Sequence, residues 1–319
     1  MAEGADVVAA GLAAGRLPSV VFVLEGSEAA VAAETDAALA GLRVLTVARH
    51  VAQKVTTLQT PPDVMAVFPM VAPPPLDTLT GAESLIVYAD GVADPGNMGT
   101  LVRAAAAFAA AALVTSPGCV DLSSPKVVRG SMGAVFALPL YPEVPLTEVT
   151  RALPEATVYG LVAHGGEPLP EAALRRPAIV CVGAERAGLE PRVARQVTHR
   201  LTIPLAGEAR AGVESLNAGV AGAIALYEFA RRQNEAARRR GRAARQRRAG
   251  GAPQRHQGAA SALPQDGAAA ALEAPDAAAA APLPRDAATA APPPRDAATA
   301  APLPRDGAAA APQQLEEKE

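Results

Sequence analysis

Between residues 20 and 230 the apolar positions gather into short β-rich runs separated by stretches with helical spacing, which predicts strands and helices in turn. The runs are VVFVLEG, RVLTV, DVMAVFPM, SLIVYAD, AALVTSP, TVYGLVA, PAIVCVG and RLTIPL. A helix is predicted over 5–15, and an Ala-rich one from Ser27 after the first run. Strands alternating with helices imply an α/β fold, a parallel sheet with helices on both faces. Between 68 and 81 the segment PMVAPPPLDTLTG carries a proline cluster that can continue neither element, so it marks a domain boundary. The division predicted is a small α/β module over 1–70, a linker over 71–82 and a larger module over 83–230. The small module opens directly on a helix, so its first β-element is expected to be missing and the chain is expected to start late.

Composition narrows the class. The chain has 319 residues, 50% of them hydrophobic, yet only 3% are aromatic and none is Trp. Much of the apolar half is Ala, which buries little area. The longest apolar stretch, 104–114, falls short of the ~20 residues that a helical membrane span needs. The N-terminus lacks the cationic start and apolar core of a secretory leader. Cys119 and Cys181 are too few for a disulfide framework or a four-ligand metal site, and His50, His164, His199 and His256 have no metal spacing. The expectation is a reduced, cytoplasmic protein without a metal.

Charge is partitioned more than its total of −3 shows. Residues 231–248 hold nine Arg and one Glu, a local +8 on a predicted helical extension. Such a cluster, with Arg238, Arg239 and Arg240 at its centre, reads as a nucleic-acid or polyanion patch, because each neutralised phosphate releases counterions. A solvated helix end accounts for it equally well. Beyond it come APLPRDAATA, APPPRDAATA and APLPRDGAAA, a ten-residue repeat too poor in large apolar side chains to offset its ordering entropy. Residues 249–319 are therefore expected to be disordered.

Three loops that follow predicted strands carry the chemistry, since open α/β sheets bind ligands at the carboxyl ends of their strands. The first, DPGNMGTLVR over 94–103, turns at Pro95-Gly96 into an Ala-rich helix. Asn97 is placed to cap that helix, which would be reason enough for it. Arg103 lies two turns into a helix that otherwise reads as buried, where a guanidinium needs an anionic partner. The second loop, GAERAGL over 183–189, has glycines that let a backbone approach a ligand, but it is neither a dinucleotide fingerprint nor a phosphate loop. The third runs from Ile203-Pro204-Leu205 to ESLN over 214–217, where Ser215 or Asn217 suits an N-cap. No G-x-S-x-G elbow is present, and Cys181 sits in a predicted buried strand.

In this order the loops resemble the SpoU (TrmH) family of S-adenosylmethionine-dependent RNA ribose 2′-O-methyltransferases, within the SPOUT superfamily. The family's N-x-G-x-x-x-R matches Asn97, Gly99 and Arg103. G-x-E-x-x-G-L matches Gly183, Glu185, Gly188 and Leu189. I-P followed by S-L-N matches Ile203-Pro204 and Ser215-Leu216-Asn217. An intermediate K-x-x-R-x-S-x-G matches Lys126, Arg129, Ser131 and Gly133. The motifs span 83–230, and the upstream module resembles the small RNA-binding domain of many members, with Asp63 where Gly is usual. Ala218-Gly219 and a slightly long loop after Pro204 depart from the usual pattern.

The resemblance implies a C-terminal trefoil knot holding S-adenosylmethionine at Val182, Gly183, Gly188, Ile203, Leu205 and Leu216. It also implies a homodimer whose site uses the partner subunit. Arg103 is implied to stabilise the developing alkoxide of the ribose, with Glu185, Ser215 and Asn217 holding Arg103, the loops and the RNA. Asn97 is implied to fix its loop and contact substrate. Lys126 and Arg129 join the arginines of the C-terminal run as expected RNA contacts. The RNA is expected to be ribosomal before transfer RNA; neither nucleotide nor position is readable. The rival reading is a knotted RNA-binding protein with little or no catalysis.

Overall fold

The computed structural model describes residues 1–28, 41–205 and 215–250, and for 241–250 the backbone alone. The helix predicted from Ser27 onward, the loop 206–214 and the repeat tail lie largely or wholly outside the described residues. The described residues fall within one compact unit.

The small module is β1 (Ala2–Glu3), α1 (Ala5–Ala13), β2 (Val20–Leu24), β3 (Val44–Val47), α2 (Arg49–Val55) and β4 (Val64–Val67). Its strands form a sheet ordered β1-β4-β2-β3. One expectation is corrected here: the sheet is mixed, since β4 runs antiparallel to β2 and only β2 and β3 are parallel. On its edge Ala2 and Glu3 pair antiparallel with Ala66 and Met65. Two residues are too few to show a strand period, so β1 could not be read from the pattern.

The larger module runs β5 (Leu85–Asp90), α3 (Pro95–Ala107), β6 (Ala112–Thr115), α4 (Pro125–Gly130), β7 (Leu140–Tyr141) and α5 (Leu146–Ala152). It continues through β8 (Thr157–Leu161), β9 (Glu167–Pro168), β10 (Ala178–Gly183), α6 (Pro191–Ala194), β11 (His199–Thr202) and α7 (Ala218–Gly250). The sheet order is β7-β6-β5-β10-β8-β11-β9, with every pair parallel. All six residues of β5 are buried, as a central strand covered on both faces requires. On one face Leu101 of α3 and Leu226 and Phe229 of α7 cluster with Val180 and Leu201 of the sheet; on the other Leu146 of α5 and Val193 of α6 cluster with Tyr88 and Ile179. Burial pushes the Cys181 thiol well above its usual range, so Cys181 behaves as the small hydrophobe that its strand predicts.

The proline segment carries no strand or α-helix, only a 3-10 turn over Leu76–Leu79. The modules nonetheless share an apolar seam, in which Val7, Val8 and Phe68 meet Val128, Val135 and Phe136. Across it the Arg129 guanidinium pairs with the buried Glu3 carboxylate. Glu3 also accepts from the Thr57 amide at 2.6 Å and from the Thr56 and Thr57 hydroxyls, each at 2.9 Å. Burial raises the Glu3 carboxyl, but these donors together with Arg129 outweigh it and hold the group below its ordinary value. No described helix is long and apolar enough to cross a membrane, and the described residues hold no metal-ligand cluster.

Candidate active site

Helix α3 starts where Asp94 accepts a hydrogen bond from the Asn97 amide at 2.8 Å, with a proline at the first helical position. Asp94 is thus the cap, not Asn97 as its position had implied. That frees the Asn97 side chain, only 7% of whose surface is exposed, to act across the sheet. Its Nδ2 donates to Glu185 Oε1 at 2.6 Å. Asn217 Nδ2 donates to the same oxygen at 2.7 Å and to Asn97 Oδ1 at 2.6 Å. Asn217 Oδ1 in turn accepts from the Val220 amide at 3.1 Å and so caps α7. One residue from each of the three loops closes into a single hydrogen-bonded triangle.

Glycines make this convergence sterically feasible. A Cβ on Gly219 would lie 3.0 Å from the Asn97 carbonyl oxygen, and one on Gly222 2.4 Å from Leu101, so the small residues of α7 let it lie against α3. A Cβ on Gly99 would lie 2.8 Å from the Gly130 backbone, which presses α3 onto α4. The loop after β10 is closed on itself, with Gly188 N donating to Ala184 O at 2.8 Å and Ala184 N donating back at 3.1 Å. Gly188 has φ +66°, and a Cβ on Gly183 would collide with the Gly188 carbonyl at 2.3 Å. Both motif glycines are needed for that loop to exist.

Beside the triangle, at the carboxyl ends of β8, β10 and β11, lies a cavity of about 300 Å³. All six positions expected to hold the cofactor, Val182, Gly183, Gly188, Ile203, Leu205 and Leu216, line it, together with Glu185 and Ser215. The wall is apolar side chain and loop backbone, with Glu185 and Arg200 as the charged side chains that reach it. It suits a ligand with a flat apolar body and a short charged arm. Arg200 and Leu161 were not singled out from the sequence; each sits at the carboxyl end of a strand, the one signal that could have found them.

Other expected residues stand elsewhere. Arg103 does not line the cavity and is exposed on the outer face of α3, in one stripe with Gly96, Thr100 and Ala107. It makes no hydrogen bond or ion pair among the described residues. The argument that a buried guanidinium needs a partner therefore does not apply, because the helix turns this position to solvent. Among the described residues Glu185 and Asn217 hydrogen-bond Asn97 and so hold the loops together, one of the roles implied for them; neither contacts Arg103. Lys126 is exposed on α4, while Arg129 is engaged by Glu3 at the module seam. Arg238, Arg239 and Arg240 are exposed on α7. Arg231 and Arg232, at the start of the same run, are instead structural. Both pair with Glu228, and Arg232 also donates to the carbonyls of Leu169, Pro170 and Ala172.

Comparison with known proteins agrees with this geometry. Residues 84–227 match the model of the SpoU rRNA Methylase family. An uncharacterized tRNA/rRNA methyltransferase of Synechocystis is 39% identical over 149 residues, 45% of this chain and 52% of that protein. The 23S rRNA (guanosine(2553)-2′-O)-methyltransferase of Bacillus subtilis is 33% identical over 54% of this chain and 66% of its own length. The chain thus spans about half to two thirds of these relatives. Among solved structures, the SpoU methyltransferase AviRb of Streptomyces viridochromogenes, in complex with AdoMet, has a TM-score of 0.64 at 25% identity, covering 72% of this chain and 89% of AviRb. A TrmH-family putative RNA methyltransferase of Porphyromonas gingivalis is 31% identical with a TM-score of 0.58, covering 72% of this chain and 88% of its own. With residues 84–227 matching the family model and 88% of a TrmH-family structure covered at 31% identity, the chain belongs to the SpoU (TrmH) family of RNA methyltransferases.

Proposed function

We propose that the chain transfers the methyl group of S-adenosylmethionine to a ribose 2′-hydroxyl of RNA, ribosomal RNA before tRNA. One observation carries the reading: three loops spread over 120 residues deliver Asn97, Glu185 and Asn217 into one triangle beside an apolar cavity. Relatives that are named 2′-O-methyltransferases of 23S rRNA support the choice of reaction and of RNA.

S-adenosylmethionine, when bound, supplies a methyl group already activated by its sulfonium. The chain's task is then placement and proton management. Val182, Gly183, Gly188, Ile203, Leu205 and Leu216 would hold the cofactor, with the triangle setting Glu185 at its edge. Its methyl would then face a ribose 2′-hydroxyl whose proton an RNA phosphate would accept. Arg103, permanently charged and without a hydrogen bond or ion pair among the described residues, stabilises the oxygen as its negative charge develops.

Partner and topology belong to the same proposal. Val220, Ile224 and Tyr227 are exposed in one stripe on α7, Tyr227 at 52%, and α7 packs on the helix that carries Arg103. A second copy covering that stripe puts Arg103 at a site built from both subunits. The β10 strand between β5 and β8 agrees with a trefoil knot formed by the segment with the second and third motifs. The test is methyl transfer from labelled S-adenosylmethionine to total bacterial RNA. Label at one alkali-resistant dinucleotide, lost in Arg103→Ala, is the expected result. Cofactor binding without transfer would favour the RNA-binding reading.

A further inference from the structure

Asp90 ends β5 directly opposite Gly183 of β10, and only 1% of its surface is exposed. Its Oδ2 accepts from the Glu190 amide at 2.7 Å, a bond that bridges 100 residues of sequence. Its Oδ1 is buried and has no hydrogen-bond partner. A carboxylate buried with half of its accepting capacity unused costs stability, so burial alone gives no reason to keep it there.

The position explains it. The loop 184–188 is closed by its own pair of hydrogen bonds, and its Gly188 backbone packs against Gly183 more closely than a side chain there would permit. A loop closed in this way is placed by its two ends. One end is Gly183 at the tip of β10; the other is Glu190, where Asp90 takes the amide just before α6. The loop between them bears Glu185 and forms one wall of the cavity through Gly183, Gly188 and Leu189.

We propose that Asp90 is a positioning residue for the methyl donor: by accepting from the Glu190 amide it sets the loop that walls the cofactor cavity and aims Glu185 at Asn97. This rests on the proposed function in that the ligand is S-adenosylmethionine. What matters at position 90 is a hydrogen-bond acceptor, not a charge.

The test measures calorimetric binding of S-adenosylmethionine to the full chain carrying Asp90→Asn, Asp90→Ala or Glu190→Pro, together with binding of total RNA at fixed salt. The Asn amide oxygen still accepts, so Asp90→Asn should stay within about threefold of wild type. Asp90→Ala should weaken the cofactor about tenfold or more. Glu190→Pro removes the donor at a residue whose φ of −58° proline tolerates, and should weaken it as much, which keeps the test open even if Asp90→Ala fails to fold. RNA affinity should be unchanged in all three. Unaltered cofactor affinity in Asp90→Ala or Glu190→Pro overturns the inference. So does equal loss in Asp90→Asn and Asp90→Ala, or parallel loss of RNA and cofactor. A wild-type chain that binds no S-adenosylmethionine overturns the proposed function and this inference together.

Discussion

At the scale of single residues, the motif positions act through one another. Asn217 caps α7 and donates to both Asn97 and Glu185, so Asn217→Ala should cost ~1 kcal/mol of thermal stability from the cap and also reduce methyl transfer. Asn217→Asp keeps the cap while setting a second carboxylate against Glu185. The repulsion and the two lost donor bonds should lower its melting temperature and its methyl transfer although the cap is kept, as calorimetry and the RNA assay read. Glu3 gives a pH signature. Its folded-state pKa lies below the ordinary 4.5, so its contribution is complete above that value and is lost as pH falls through the lower folded one. Glu3→Gln should lower stability near neutrality by roughly 2 kcal/mol and flatten the loss between neutral and acid pH, as seen in denaturant melts across that range. The motif chemistry was legible at this scale because residue type and spacing survive in the linear chain. That Asp94 rather than Asn97 caps α3 was not, since either residue type suits the position and only the folded turn chooses between them.

At the scale of elements, helix contacts made by glycine backbones keep the site in register. Gly99→Ala would place a methyl 2.8 Å from the Gly130 backbone, which cannot yield as a side-chain tip can. It should cost ~1–3 kcal/mol in thermal unfolding and lower transfer through the displaced Asn97. The long helix α7 divides by function along its length. Its first turns bury Ala218, Gly222, Ala225, Leu226 and Phe229, at the 3–4-residue spacing of a packed face. Next, Arg231 and Arg232 hold the Glu228 carboxyl down at about 2, and Arg232 ties the helix to the 169–172 turn. The buried strands β5 and β10 were plain from their apolar runs. The two-residue strands β1, β7 and β9 were not, because their pairing comes wholly from neighbours distant in sequence.

At the scale of the whole molecule, charge and apolar surface assign partners. Replacing Arg238, Arg239 and Arg240 by Gln leaves the intrachain arginine pairs untouched. It should lower the slope of log affinity against log salt for RNA by roughly 2 without changing the melting temperature. A deletion meant to test the basic run should begin at residue 238, since one beginning at 231 would also remove the contacts of Arg231 and Arg232. Ile224→Asp with Tyr227→Asp should convert a dimer to a monomer in light scattering and abolish transfer, if the α7 stripe is covered by a second copy as proposed. The seam between the modules, apolar at Val128 and Phe136 and ionic at Glu3–Arg129, shows the small module fused to the catalytic one rather than tethered by its proline segment.

By itself the sequence determined the α/β alternation, the three motif loops and, through their residues, the family, because hydrophobic period and residue spacing are local properties of the chain. Tertiary structure alone decided that β10 enters between β5 and β8 and that Asn97, Glu185 and Asn217 meet. It alone turned Arg103 to solvent, engaged Arg129 with Glu3 and buried Asp90 under the loop it supports. Each of these depends on which distant segments are brought side by side, and a hydrogen bond or a collision across a hundred residues leaves no periodic trace in the sequence that makes it.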